Sequence, residues 1–298
     1  MNKILIGLTV ILLMGCQSAT ENSTKATTTK QEPLDTAKVP EHWVEERVKK
    51  AKDKLNATEA GQLVWQAMEA HGGLANWFSN GPISFQFDYQ PRGKGARRNT
   101  SQIVDTWSNK SVHHDMVDKT AAYGWNGKEA WVTMKDTAAF DYNLRFWALT
   151  PIYFLAQPFN FDGAGVKLEK LEDKSLDDVL YDAVKISFEQ GTGDAPDDYY
   201  INYYDKKTHQ LKVLRYIVSY PKYFKDGGHS PEKIMTLHDF KSINNITLPT
   251  SYKTYMLAKD ETRGEYVTDI SVSDIKFLPD LKKTAFERPE GTKILNDL

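Results

Sequence analysis

Ile83-Ser84-Phe85-Gln86-Phe87-Asp88-Tyr89 alternates apolar and polar residues at every position. A period of two puts successive side chains on opposite faces, so this is a strand with one buried and one wet face. The same reading extends downstream. Strands are expected near 97–107 and 110–116. Ala121 to Met134 reads as a hairpin turning at Asn126-Gly127, a type I′ dipeptide. Val179–Phe188 follows, then Tyr199–Tyr204 and Leu211–Tyr220 around a short turn. Ile234–Phe240 and Ile246–Ala258 flank Asn244-Asn245, and Gly264–Leu278 is a last long strand whose alternation slips near Ser273, as at a bulge. About ten or eleven strands at hairpin spacing predict an α+β chain built on one large, curved antiparallel sheet. One stretch departs from the pattern. Phe140, Leu144, Phe146 and Trp147 read as helical, and Pro151 is expected to stop that helix.

Upstream of the first strand the period is helical. Pro40 to Leu55 places Trp43, Val44, Val48, Ala51 and Leu55 on one side. Asn56 with Glu59 reads as a capping box for a second helix carrying Leu63, Val64, Ala67, Met68 and His71. Gly72-Gly73 ends it, and Leu74 to Phe78 adds a turn that presents Trp77.

The N-terminus has a short positive start, an apolar run from Ile4 to Leu13, and then Met14-Gly15-Cys16. The run is the length of a signal-peptide core, too short to span a bilayer. Gly15-Cys16 resembles the lipobox of bacterial lipoproteins. That resemblance implies a signal peptide over 1–15 and acylation of Cys16. Two or more acyl chains give stable anchoring. Gln17 rather than Asp after the cysteine implies the outer membrane of a Gram-negative envelope. Residues 16–40 are then a lipidated tether rich in Ser, Thr, Lys and Gln, with a coil reach of roughly 25–30 Å. Asp35-Thr36-Ala37 resembles a short O-glycosylation motif, and an unmodified linker is the reading preferred here. Residues 41–298 form a single domain.

The chain has 298 residues, 38 Lys+Arg against 40 Asp+Glu, and one cysteine, Cys16. The charge balance disfavours a nucleic-acid partner, and the lone cysteine rules out an internal disulfide. His113-His114-Asp115 is the strongest cluster for chemistry. On a strand, His113 and Asp115 share a face and His114 does not, so no third metal ligand is spaced correctly. Exposed strand residues are expected, with no metal site and no cofactor. His71 fits a helix C-terminus, where imidazole meets the negative dipole end. Asp194, Asp197 and Asp198 lack the spacing of a calcium loop and read as a solvated turn. Arg92, Lys94, Arg97 and Arg98 read as a basic hairpin tip.

Four pieces together carry a family likeness: Ala70-His71-Gly72-Gly73 with Trp77; Trp125-Asn126-Gly127-Lys128 with Trp131; Tyr153-Phe154-Leu155 with Pro158-Phe159; and Tyr200-Ile201 through Asp205-Lys206-Lys207-Thr208-His209, then Leu248-Pro249. Across roughly 58–288 the chain resembles the LolA/LolB-like lipoprotein-carrier superfamily, and within it a family of Bacteroidetes lipoproteins of unknown function. Residues 41–57 resemble an added N-terminal helix. The resemblance implies an unclosed half-barrel whose concave face is covered by helices and holds acyl chains. By aromatic character and strand parity the expected lining is Phe85, Phe87, Trp131, Tyr153, Phe154 and Phe159. The function this implies is non-catalytic binding of a hydrophobic ligand: an acyl chain, a lipid or a lipoprotein. Periodicity does not separate an open cavity from a filled core. A scaffold lipoprotein that docks envelope proteins therefore stays open, as does an envelope hydrolase using His113 and Asp115.

Overall fold

A computed structural model describes residues 35–134 and 140–295. The expected signal peptide, Cys16 and the expected tether as far as residue 34 lie outside the described residues. Three helices come first: α1 (Glu41–Leu55), α2 (Glu59–Ala70) and α3 (Leu74–Ser79). Strands β1 (Ile83–Pro91), β2 (Arg98–Val104), β3 (Ser111–Asp115), β4 (Ala122–Trp125) and β5 (Ala130–Thr133) lead to helix α4 (Leu144–Leu155). Then follow β6 (Val166–Lys170), β7 (Lys174–Leu176), β8 (Val179–Phe188), β9 (Tyr200–Asp205), β10 (Leu211–Tyr216) and β11 (Lys233–His238). The last strands are β12 (Lys241–Ile243), β13 (Ile246–Leu248), β14 (Ser251–Leu257), β15 (Arg263–Phe277) and β16 (Lys293–Leu295).

Fourteen of these strands form one antiparallel sheet, in the order β16-β5-β4-β3-β2-β1-β15-β14-β11-β10-β9-β8-β6, with β7 beside β8. It does not close, and its helices lie in one core with the inner face, so the α+β expectation is met. The long β15 joins the two halves by pairing with β1 and β14. Its predicted bulge is real: the β1 register shifts between Ser84 and Gln86, and Asp274 takes φ +53°. β12 and β13 make a separate hairpin. Its Asn244-Asn245 turn has both residues at positive φ, 48° and 64°, the type I′ signature.

The strand count exceeds the sequence expectation for local reasons. β12, β13 and β16 are three residues long, and β6 and β7 are rich in lysine. Ile246–Ala258 is two strands, because Pro249 cannot donate to a ladder. Asn126-Gly127 is not a type I′ turn, since only Gly127 has positive φ. Asn126 Oδ1 instead accepts from Lys128 N and Glu129 N, at 2.9 and 2.7 Å. The cap of α2 is Thr58, whose Oγ1 accepts from Gly61 N at 3.1 Å, while Asn56 ends α1. Trp43 is half exposed rather than buried.

The main core lies between the helices and one face of the sheet. Phe85, Phe87, Tyr123, Ile186, Leu214, Tyr252 and Val272 meet Val64, Met68, Trp77 and Leu155 there. Two smaller clusters bury parts of the opposite face. One gathers Tyr181, Tyr203 and Ile234; the other gathers Val112, Ala122, Trp131 and Phe286. Ala37 belongs to the latter. Its N–H donates to Leu281 O at 2.7 Å, and Lys283 N donates to Asp35 O at 3.0 Å. Asp35-Thr36-Ala37, read above as linker, is thus paired backbone against the C-terminal segment.

Gly72 is required twice over. It has φ +114°, and a Cβ there would sit 1.9 Å from Asn245 O in the β12–β13 turn. Gly72→Ala is expected to cost about 3 kcal/mol, read as a lower urea midpoint. Gly73→Ala, with positive φ but only a glutamate side chain nearby, should cost less.

Candidate functional site

Asn143 starts α4 by accepting the Phe146 N–H on its side chain, at 2.9 Å. The helix then runs through Pro151 to Leu155 instead of stopping there. Proline withholds one N–H from the helical ladder. Near the break, Ala148 O accepts from Ser111 Oγ at 2.8 Å and from His113 Nε2 at 3.0 Å. Two side chains of β3 therefore fasten this helix to the sheet. His113 is wholly buried, stacks on Tyr123 at 4.4 Å, and has its pKa lowered by burial to about 3. It is not an exposed strand residue. Asp115 Oδ1 instead accepts from Val117 N and Asp118 N. The pair makes no catalytic dyad.

Phe146, Leu149, Thr150, Tyr153 and Phe154 repeat at i, i+3, i+4, i+7 and i+8, a single helical stripe. They form one wall of a cavity of about 400 Å³. Val166 of β6, Phe188 of β8, Tyr200 of β9 and Tyr216 of β10 form the opposite wall. Residues 192–195 and Val218 and Tyr220 edge its mouth. The rings are packed around this space: Tyr153 and Tyr200 at 5.1 Å, Tyr200 and Tyr216 stacked at 6.0 Å, and Phe154 and Tyr216 at 5.4 Å. Apolar walls with a few convergent polar groups are the usual make-up of a ligand pocket.

Among the polar groups, Arg145 pairs with Asp194 at 2.8 Å and lies 3.6 Å over Trp125. Asp198 Oδ1 accepts from Ser219 N at 2.5 Å and Ser219 Oγ at 2.7 Å. Burial raises the Asp198 pKa, and the Ser219 bonds oppose that shift. Asp197 accepts from Gln190 at 3.1 Å. Asp194 and Asp198 therefore border the cavity, whereas Asp197 lies in an exposed turn, as expected.

Arg47 of α1 closes another side. It pairs with Asp162 at 2.5 Å and lies over Phe78 at 4.0 Å and Trp107 at 4.7 Å. Arg47, Asp162 and Gly163 also border a more open groove of about 640 Å³ with Trp43, Lys50 and Lys54. Arg47→Ala leaves the Asp162 carboxylate, 6% exposed, without its partner. A loss of about 3 kcal/mol is expected in denaturant titration, and Asp162→Asn with Arg47→Met should recover much of it.

The six expected lining residues divide. Tyr153 and Phe154 line the cavity. Phe85 and Phe87 are packed in the main core, and Phe159 stacks on Trp77 at 5.0 Å with no exposure. Trp131 belongs to the cluster on the other face of the sheet. Strand parity fails for Trp131 because both faces of β5 are covered, with Val132 in the main core. Missed were Phe146, Leu149, Tyr200 and Tyr216. The α4 stripe was detectable as a period of 3.6 continued through Pro151.

His71 caps α2 from a fully buried position. Its Nδ1 donates to Thr247 O at 2.7 Å, and its Nε2 accepts from Leu211 N at 3.0 Å. Burial lowers its pKa to about 4. The ring is thus a neutral bridge from α2 to β10 and β13, not a cation at a dipole. The basic tip is also engaged: Arg97 grips Asp88 with two bonds, Arg92 pairs with Asp269, and Arg98 lies over Trp147 at 4.3 Å.

An unclosed antiparallel sheet holding helices and an aromatic cavity on its inner face is a LolA-like half-barrel. The chain is similar in structure to a LolA superfamily protein of Nitrosomonas europaea, with a TM-score of 0.50 and 14% identity over 78% of this chain and 98% of that one. It is similar as well to a Vibrio parahaemolyticus domain described as an outer membrane lipoprotein-sorting protein, with a TM-score of 0.50 and 9% identity over 77% and 97%. At these identities the likeness is one of fold. No family model and no curated protein matches the sequence. Among the described residues, no helix is long and apolar enough to cross a membrane.

Proposed function

We propose that this chain is a non-catalytic envelope lipoprotein, anchored through Cys16, that holds a hydrophobic ligand between α4 and strands β8–β10. The ligand class is an acyl chain, a lipid or an acylated protein. The observation that carries this reading is the cavity itself: about 400 Å³ of space walled by the Phe146–Phe154 stripe and by Tyr200 and Tyr216. An open cleft of this size with aromatic walls and a few convergent polar groups fits a binding role. The leader and Gly15-Cys16 support anchoring, and Gln17 supports the outer membrane as its place. The partners are then the membrane, through the lipid, and envelope proteins that deliver or receive the ligand. A soluble shuttle needs no anchor, so an acceptor or an independent binder fits better.

The test uses the chain from Gln17 to Leu298, secreted to a Gram-negative periplasm behind a cleavable signal. Native mass spectrometry and then organic extraction should find one lipid or fatty-acid-containing molecule per chain. A clean apo mass, with no uptake of added lipid, would overturn the carrier reading and favour a scaffold that works through its outer surface.

A further inference from the structure

We propose that the cavity selects ligands whose polar end is uncharged and donates hydrogen bonds, such as a hydroxyl or an amide, over ligands ending in a free carboxylate or phosphate. The proposal rests on the carrier reading and adds to it the chemistry of the ligand's polar end.

Three carboxylates border the cavity: Asp162, Asp194 and Asp198. Arg47 neutralises the first at 2.5 Å, and Arg145 neutralises the second at 2.8 Å. Asp198 is different. Both bonds to it come from neutral donors, Ser219 N and Ser219 Oγ, and both reach Oδ1. No described Lys or Arg forms an ion pair with it. The wall therefore carries one carboxylate without a cationic partner, and its Oδ2 has no bonded donor among the described residues. Charges in a partly desolvated site interact more strongly than in water, so an anionic ligand end placed here meets repulsion.

The neighbouring buried polar atoms ask for the same partner. Asn160 donates its amide to Tyr153 O at 3.0 Å, and its Oδ1 is left buried with no partner. The Tyr153 hydroxyl is buried and equally unpartnered. Its ring lies 5.1 Å from that of Tyr200 on the opposite wall, and both residues line the cavity. Buried polar atoms are almost always bonded in native proteins, so unpartnered ones along a cavity mark where ligand atoms belong. An amide oxygen and a carboxylate oxygen only accept; a tyrosine hydroxyl does either. A hydroxyl or amide on the ligand can donate to either of these oxygens or bond the tyrosine, whereas a carboxylate suits only the tyrosine.

The test holds the tail constant and varies the end. The Gln17–Leu298 chain, delipidated, is titrated calorimetrically at pH 7.4 with 1-dodecanol, dodecanoate and methyl dodecanoate. Dodecanol should bind tenfold or more tighter than the other two, because it alone donates without charge. Asp198→Asn removes the charge and keeps an acceptor for Ser219, and should bring dodecanoate within about threefold of dodecanol. Tyr153→Phe should weaken dodecanol roughly fivefold. Thermal melts establish that both variants are folded. Dodecanoate binding as well as dodecanol, or a preference unchanged by Asp198→Asn, would overturn the proposal and leave the carrier reading standing. Binding of none of the three probes would overturn the carrier reading, and this proposal with it.

Discussion

Between pH 6.5 and pH 4 the protein should lose most of its stability, and replacing His71 with Phe should remove about half of that acid sensitivity. His71 and His113 are both wholly buried and bonded to backbone. Burial is the largest cause of both shifts, which lower their pKa values from 6.5 to about 4 and about 3. Below pH 6.5 the unfolded chain takes up protons that the native chain refuses. Stability is therefore greatest above that pH and falls as pH drops toward the folded values. Each refused proton costs about 1.4 kcal/mol per pH unit, so two give a slope near 2.7. Over two units this approaches the whole stability of an ordinary domain. His238, also lowered by burial, adds to the slope in the same direction.

His71→Phe has a second effect, visible at neutral pH. It leaves Leu211 N–H and Thr247 C=O buried without their partner, and each unsatisfied group costs about 1–3 kcal/mol. A loss of about 4 kcal/mol is expected at pH 7.5. Urea titrations at pH 7.5, 6, 5 and 4.5 on both chains read the two effects separately. A wild-type stability that stays flat from pH 6.5 to 4.5 would sink the argument.

Val218→Trp should abolish uptake of the hydrophobic ligand, with an affinity loss of a hundredfold or more, at little cost to the fold. Val218 lines the cavity and is half-buried. Its backbone N–H bonds Ser230 Oγ at 3.0 Å, and its carbonyl accepts from Ser230 N at 2.8 Å. Neither bond depends on the side chain. An indole added to a filled core forces strain of about 1–3 kcal/mol, whereas one added to an open cavity enters it freely. The same variant thus reports on the space and on its use. Ligand uptake by mass spectrometry and the urea midpoint are measured together. Undiminished uptake with the indole buried, by its fluorescence, would remove this cavity as the binding site.

The alternation from Ile83 to Phe87 was enough to read a half-buried strand, because side-chain parity is a local property. Asp88 and Tyr89 already depart from it. Arg97 covers Asp88 with two bonds, so an acidic residue at an outward position is buried. The β15 bulge near Ser273 was readable for the same local reason. Reading Pro151 as a stop conceals the continuous α4 stripe. A proline costs the ladder one bond, and a helix fastened to the sheet by Ser111, His113 and tertiary packing absorbs that loss. Phe146 and Leu149 escape notice in that way, while Tyr153 and Phe154 do not.

Local order was the sequence's own: where the chain turns to strands, that a sheet dominates, and that β15 bulges. These follow from periodicity, turn chemistry and short-range composition. Which aromatics enclose space and which fill it was decided only by tertiary structure. Phe85, Phe159 and Tyr153 look alike in sequence. Phe85 is pressed between sheet and helices, Phe159 is stacked under Trp77, and Tyr153, against Tyr200 at 5.1 Å, lines the cavity. The difference lies in what arrives on the other side of each ring. That is set by residues far away in the chain, and no period within a strand or a helix encodes it.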